Sequence, residues 1–86
     1  MVAKKKGKFG VINGVGDRLR EWRKKGGLKL IELGETINTS QGSLSDLENN
    51  KSLPSADTIS SLHRNTDLNV IWLLTDTGKM KRPRRD

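Results

Sequence analysis

The stretch 33–55 constrains the fold more than any other part of the chain, because it combines helical periodicity with a turn of three polar residues. Leucine and isoleucine recur at helical spacing over residues 29–37, which predicts a first short helix. Residues 38–40, Asn-Thr-Ser, are typical of a turn. Ser40 is a favourable N-cap for a second helix over about residues 41–49. Two short helices joined in this way form a helix-turn-helix.

The rest of the chain predicts three more short helices and no strands. One helix starts near Asp17 as its N-cap and ends before Gly26 and Gly27. Another follows Ser55 as its N-cap, and the last follows Asn69 as its N-cap and covers about residues 70–75. The apolar side chains expected to face the core include Leu19, Trp22, Leu33, Ile37, Leu44, Leu47, Ala56, Ile59, Leu62 and Trp72. The fold class expected is all-α, with five short helices.

Composition excludes several classes of protein. The chain has 86 residues, no cysteine and one histidine, so disulfides, thiol chemistry and a zinc site are not expected. No apolar run approaches the roughly 18 residues that a membrane span needs, and no signal peptide is apparent. A cytoplasmic location and a single small domain are expected. No nucleophile, base or metal cluster indicates an enzyme, and no cofactor or small-molecule ligand is expected.

The net charge of +7 lies almost entirely at the two ends. Lys4, Lys5, Lys6 and Lys8 fall within the first eight residues, and five Lys or Arg side chains fall within the last eight. The span between them holds eight basic and nine acidic residues. We therefore divide the chain into a basic arm (1–14), a helical domain (15–78) and a basic tail (79–86). Both ends are either solubilising segments or arms that neutralise nucleic-acid phosphates, and the tail could also fold on a partner.

Short polar side chains cover the outer face of the second helix of the helix-turn-helix. They are Gln41, Gly42, Ser43, Ser45, Asp46 and Asn49. Such residues form hydrogen bonds with base edges and phosphates and permit close approach to a duplex. Gly34 leaves space where the two helices cross, and Asn38 tolerates the left-handed backbone of the turn. The glycines of residues 7–10 and 14–16 are interpreted as linker, since no strand or phosphate-loop motif accompanies them.

Four segments in order resemble the Cro/CI-type phage repressors, also called the xenobiotic-response-element helix-turn-helix family. They are residues 18–23 in the first helix, 28–34 at the approach to the second, 47–55 and 70–75. Segment 47–55, Leu-Glu-Asn-Asn-Lys-Ser-Leu-Pro-Ser, is similar to the family signature with Asn50 in place of the usual Gly. The resemblance implies a lambda-repressor-like domain over about residues 17–78.

The resemblance also implies a role for each matching residue. The base-reading residues would be Gln41, Gly42, Ser43 and Asp46, with the Gln41 amide suited to adenine and Asp46 to cytosine. The residues in contact with the DNA backbone would be Ser40, Ser45, Asn49, Asn50, Lys51, Lys4, Lys5 and Lys6. Arg23 and Glu48 match an internal ion pair.

The function implied is a sequence-specific, double-stranded-DNA-binding transcriptional regulator, similar to a phage or prophage repressor. Relatives often bind as homodimers to palindromic operators, and a bacterial or phage origin with a nucleoid location would follow. The alternative is an antitoxin or adaptor whose main partner is another protein. Phage repressors of this type commonly carry a second domain, and this sequence stops at residue 86, so we expect either a short Cro-like regulator or a fragment.

A few positions depart from the family pattern. Leu30 stands where a DNA-contacting Gln is common, and we interpret it as an additional core or interface residue. His63 is expected to be half-buried against the core. Trp72 is expected in the core, with a possible dimer surface formed by Trp72 and Leu73 as the alternative.

Overall fold

The computed structural model describes residues 14–83, and the chain there folds into five helices without a named strand. They are α1 (Val15–Lys25), α2 (Leu30–Thr36), α3 (Gln41–Glu48), α4 (Ala56–Asn65) and α5 (Val70–Thr75). The predicted all-α fold is therefore confirmed. None of these five helices has the length and apolar character that crossing a bilayer requires. The basic arm, apart from Gly14, lies outside the described residues.

The first three helices end with the same local geometry. A residue with positive φ follows each C-cap: Gly27 at 75°, Asn38 at 57° and Asn50 at 61°. After α2 the amide of Thr39 donates to the Gly34 carbonyl at 2.8 Å, and after α3 the amide of Lys51 donates to the Asp46 carbonyl at 2.9 Å. These bonds satisfy carbonyls that a helix end leaves unpaired. The chain consequently turns within two residues after each helix, as expected at Asn38.

Side-chain caps begin three of the helices at the predicted residues. Ser40, Ser55 and Asn69 accept hydrogen bonds from the amides two or three positions further along α3, α4 and α5. The N-cap of α1 was predicted three residues too late. Gly14, at φ 80°, is its N-cap, and Asp17 lies within the first turn, where its charge is favourable to the helix dipole.

The core lies between α1, α3 and α5, with α2 and α4 packed around it. Its buried side chains are Val15, Leu19, Trp22, Leu33, Ile37, Leu44, Leu47, Leu62, Leu68, Trp72 and Leu73. Ile59 is partly buried against this cluster, whereas Ala56 is exposed because it occupies the first turn of α4. The prediction for His63 was wrong. Its side chain is exposed, because it follows the buried Leu62 by one residue and so points to a different side of α4.

The first residues of the predicted basic tail pair with the α4–α5 connection. Leu68 and Lys81 form an antiparallel bridge, and the amide of Asn69 donates to the Met80 carbonyl at 2.9 Å. The Arg82 guanidinium donates to the carbonyls of His63 and Thr66 at 2.9 and 2.6 Å. Residues 79–82 therefore belong to the folded domain. The predicted domain boundary at residue 78 separates these residues from the segment that they contact.

Gly16 lies at the closest approach between two helices. A Cβ atom there would clash with the Leu47 carbonyl oxygen and would lie 2.7 Å from both the Asn50 Oδ1 and the Glu48 carbonyl oxygen. Gly16 is also fully helical and buried. The interpretation of residues 14–16 as linker is thus corrected, because Gly14 and Gly16 allow α1 to start directly against the end of α3.

Replacing Gly16 by alanine is expected to lower the free energy of unfolding by about 2 kcal/mol or more, because backbone atoms surround the added methyl group. Gly42 is the matched control, since it is also helical and its Cβ would meet nothing within 4 Å. Gly42→Ala should raise stability by about 0.5–1 kcal/mol. Urea denaturation followed by circular dichroism measures both changes. A Gly16→Ala variant as stable as the wild type would contradict the close packing described here.

Candidate nucleic-acid interface

Two buried leucines orient α3 and leave its polar residues in solvent. Leu44 has no exposed surface and Leu47 retains 6%. Gln41, Gly42, Ser43 and Asp46 are all exposed. The structure thus brings the four residues that were expected to read bases onto the solvent side of one helix, within a single turn and a half.

The N-terminal end of α3 is held by serine hydroxyl groups. The Ser40 Oγ accepts a hydrogen bond from the Ser43 amide at 3.1 Å, and the two hydroxyl oxygens lie 3.0 Å apart. This cap satisfies one of the free amides at the helix start. The Gln41 side chain therefore projects from an ordered first turn.

The polar residues at the other end of α3 bond to neighbouring protein groups. Asn49 accepts from the Arg20 guanidinium at 2.6 Å through Oδ1 and donates from Nδ2 to the Ser45 hydroxyl at 3.4 Å. Ser45 is half-buried, while Lys51 is exposed. Of the residues expected to contact the DNA backbone, only Ser40, Ser45, Asn49, Asn50 and Lys51 lie within the described part of the chain. Lys4, Lys5 and Lys6 lie outside it.

Asn50 has a structural role that the sequence interpretation missed. Its backbone takes the left-handed conformation after α3, and its Oδ1 accepts the Gly16 amide at 2.9 Å. The side chain therefore caps the first turn of α1 from another segment. The signal in the sequence was the Asn in place of the usual Gly, because Asn tolerates positive φ and also supplies an acceptor.

Glu48 is the one buried charged residue among residues 14–83, with 2% of its surface exposed. Arg23 donates to its two carboxylate oxygens from Nε at 2.7 Å and from Nη2 at 2.9 Å. Arg23 also donates to the Leu28 carbonyl at 2.9 Å. The hydrogen bond with Glu48 raises the pKa of Arg23 above its ordinary value, despite the opposing effect of burial, and the charge of Glu48 adds to the increase. The ion pair predicted from the sequence is therefore present and bidentate.

Arg20 is a second arginine at the same carboxylate, and sequence analysis did not single it out. Its Nε lies 3.5 Å from the Glu48 Oε1, and 37% of its side chain is exposed, against 12% for Arg23. The signal available was spacing alone, because residues 20 and 23 share a helix face.

A concavity of about 340 Å³ lies between α2 and the start of α3. Its lining includes Ile31, Glu35, Asn38 and Gln41. Leu30 precedes Ile31 in the sequence and is partly buried against the core. This agrees with its interpretation as an additional core residue. Ile31, which is 51% exposed, is the apolar residue that α2 presents to solvent.

Gly34 provides close packing, although its nearest neighbour differs from the one expected. A Cβ at this position would lie 2.6 Å from the Thr39 carbonyl oxygen and 3.9 Å from the Leu44 Cδ2. The turn after α2, more than α3 itself, therefore requires a residue without a side chain here.

The possible dimer surface at Trp72 and Leu73 needs correction. Leu73 has no exposed surface and Trp72 retains 8%, because both side chains face the core from α5. The indole of Trp22, the other tryptophan of the core cluster, donates to the Asp67 carboxylate at 2.9 Å. Ile71, 61% exposed, is the apolar residue that α5 presents to solvent.

Comparison with known families places this geometry. A family model described as helix-turn-helix matches residues 19–73, which extend from the first turns of α1 to the middle of α5. The chain belongs to the Cro/CI-type helix-turn-helix family. The protein is therefore a DNA-binding transcription regulator of the helix-turn-helix type. The family is a DNA-binding family and not an enzyme family. A comparison with curated proteins gave no match. In the part of the chain that the structure describes, no three metal-ligating side chains cluster.

Glu48→Gln is expected to lower the free energy of unfolding by about 3 kcal/mol, because it leaves the Arg23 guanidinium partly buried without its counter-charge. Glu21→Gln is the control, since Glu21 is half exposed and pairs with Lys25 at 3.7 Å. The control should change stability by less than about 0.5 kcal/mol. Chemical denaturation of both variants measures the two free energies of unfolding. Equal losses would show that the buried Glu48 pair stabilises the fold no more than the exposed Glu21 pair does.

Proposed function

We propose that this helix-turn-helix regulator is a phage or prophage-type repressor that reads the major groove of double-stranded DNA with α3. The observation that carries the proposal is the capped, leucine-anchored α3 with an exposed face of short polar side chains. A helix positioned in this way can approach base edges closely without reorganising.

The exposed side chains of α3 differ in the bases that they would favour. The Gln41 amide can both donate and accept, which matches adenine N6 and N7. Asp46 accepts only, so it favours the cytosine N4 amino group and disfavours a nearby phosphate. Ser43 can bond to several bases, and Gly42 leaves room for the duplex because nothing lies within 4 Å of its missing Cβ. Together they would specify a short half-site.

Backbone contacts would come from both ends of α3. Ser40 and Lys51 are exposed, and Ser45 lies between them. The Oδ1 atoms of Asn49 and Asn50 accept hydrogen bonds within the protein, so these residues would approach phosphates through their amide NH2 groups. The lysines at 4–6 would add charge from the arm, which joins the domain at Gly14, two residues before the contact of Gly16 with the end of α3.

A homodimer on a palindromic operator completes the proposal. Two copies would place their α3 helices in successive major grooves about 34 Å apart. The exposed Ile71 on α5 is the apolar residue that an interface on that side of the domain would cover.

Selection of bound duplexes from a random pool tests the function directly, and we expect an inverted repeat. On the selected site, Gln41→Ala should weaken binding by roughly 1–3 kcal/mol, because it removes a bidentate base contact. On random duplex the same variant should bind almost as well as the wild type. Fluorescence anisotropy measures both affinities. A pool that yields no enriched sequence, or equal losses on both duplexes, would contradict base reading by Gln41.

Removal of residues 1–8 tests the arm. We expect weaker binding to every duplex and a salt dependence of the dissociation constant reduced by a few units, since each phosphate contact contributes about 0.9 to the slope. The measurement is a series of anisotropy titrations at increasing KCl concentration. If the slope stays unchanged, the arm serves solubility and not DNA binding.

A further inference from the structure

The charge balance around Glu48 leaves one cation in excess. Arg23 bonds to both oxygens of the Glu48 carboxylate, and this bidentate pair is neutral as a whole. Arg20 lies beside it, 3.5 Å from the Oε1 atom that already accepts from Arg23. Each oxygen of the buried carboxylate thus already accepts a hydrogen bond from Arg23, and the longer contact with Arg20 leaves that guanidinium available for another anion.

The position of Arg20 is defined by the last turn of α3. Its Nη2 donates to the Asn49 Oδ1 at 2.6 Å. Within residues 14–83 this is the hydrogen bond that the guanidinium makes, so most of its five N–H donors are not committed to protein acceptors. The side chain is 37% exposed. A partly fixed, partly exposed guanidinium at this end of α3 is well placed to bind an anion.

The DNA-facing side of the domain otherwise has little positive charge. The exposed residues of α3 are neutral except for Asp46, which is acidic. Neutral serine and asparagine side chains position a duplex but displace no counterions, whereas arginine and lysine do. Among the described residues 40–51, Lys51 is the single basic residue.

We propose that Arg20 binds a DNA phosphate at the C-terminal end of α3, with Asn49 as the residue that positions it. The inference rests on the proposed docking of α3 in the major groove. The guanidinium suits a phosphate because it offers two parallel donors. The hydrogen bond to Asn49 restricts the side chain before DNA arrives, which reduces the entropy lost on binding. Arg20 thus joins α1 to the interface, although α1 makes no base contact.

The test compares Arg20→Ala with Lys25→Ala on a random duplex and on the selected operator. Lys25→Ala is the matched control, because it removes one positive charge from the same helix. Lys25 lies beside Trp22, Asp67 and Met80, away from α3. Arg20→Ala should reduce the slope of log Kd against log salt by about 0.9 on both duplexes and weaken binding about tenfold at low salt. Lys25→Ala should leave the slope unchanged.

Two further variants separate phosphate binding from a purely structural role. Arg20→Lys should retain the slope, since it keeps the charge. Asn49→Ala should weaken binding severalfold at an unchanged slope, because the charge of Arg20 stays while its positioning and the neutral contact of the Asn49 amide are lost. An unchanged slope for Arg20→Ala, with any loss of affinity explained by lower stability in urea, would overturn the assignment. If binding is sequence-selective and depends on Gln41 while the Arg20→Ala slope is unchanged, the proposed function stands and only the role of Arg20 is rejected. If Arg20→Ala reduces the slope but the protein shows no sequence selectivity, only base reading is rejected.

Discussion

The buried carboxylate of Glu48 is the interaction on which the rest of the domain depends. An unpaired charge at 2% exposure would cost several kcal/mol, and the bidentate pair with Arg23 offsets that cost. Arg23 also bonds to the Leu28 carbonyl, and in this way one guanidinium joins α1, the α1–α2 connection and the last residue of α3. The direction of α3 relative to the core is therefore set at the end away from Gln41, by an ion pair with two defined distances and not by apolar packing alone.

A second contact at the same end acts on the backbone. The Gly16 amide and the Asn50 side chain join the first turn of α1 to the residue that ends α3. The contact requires a glycine on one side, since a Cβ would overlap carbonyl oxygens of α3. It requires on the other side a residue that tolerates positive φ and carries an acceptor. Asn50 meets both conditions, which gives a physical reason for its presence where the family commonly has glycine.

The sequence predicted those parts of the fold that depend on local chemistry. Helical periodicity and the caps at Ser40, Ser55 and Asn69 are encoded within a few residues, and the structure has them as expected. The parts that were wrong or missed depend on distant segments. Gly16 resembled a linker because its partner lies 34 residues away, and Arg82 belongs to the folded body only through carbonyls at the end of α4. The exposure of α3 side chains followed from the pattern, whereas the bonds of Arg20 and Asn49 did not.

These contacts separate the groups that hold α3 from the groups that would read DNA. The buried leucines, Glu48 and Asn50 act on the inner side and the C-terminal end of α3, while Gln41, Ser43 and Asp46 make no contact that the core requires. These three residues can therefore change with little effect on stability, because none of their side chains makes a buried bond. Charge is separated in the same way. The ion pair of Arg23 and Glu48 is neutral, so under the proposed docking the affinity for a polyanion would come from cations at the margins of the interface, such as Arg20 and Lys51.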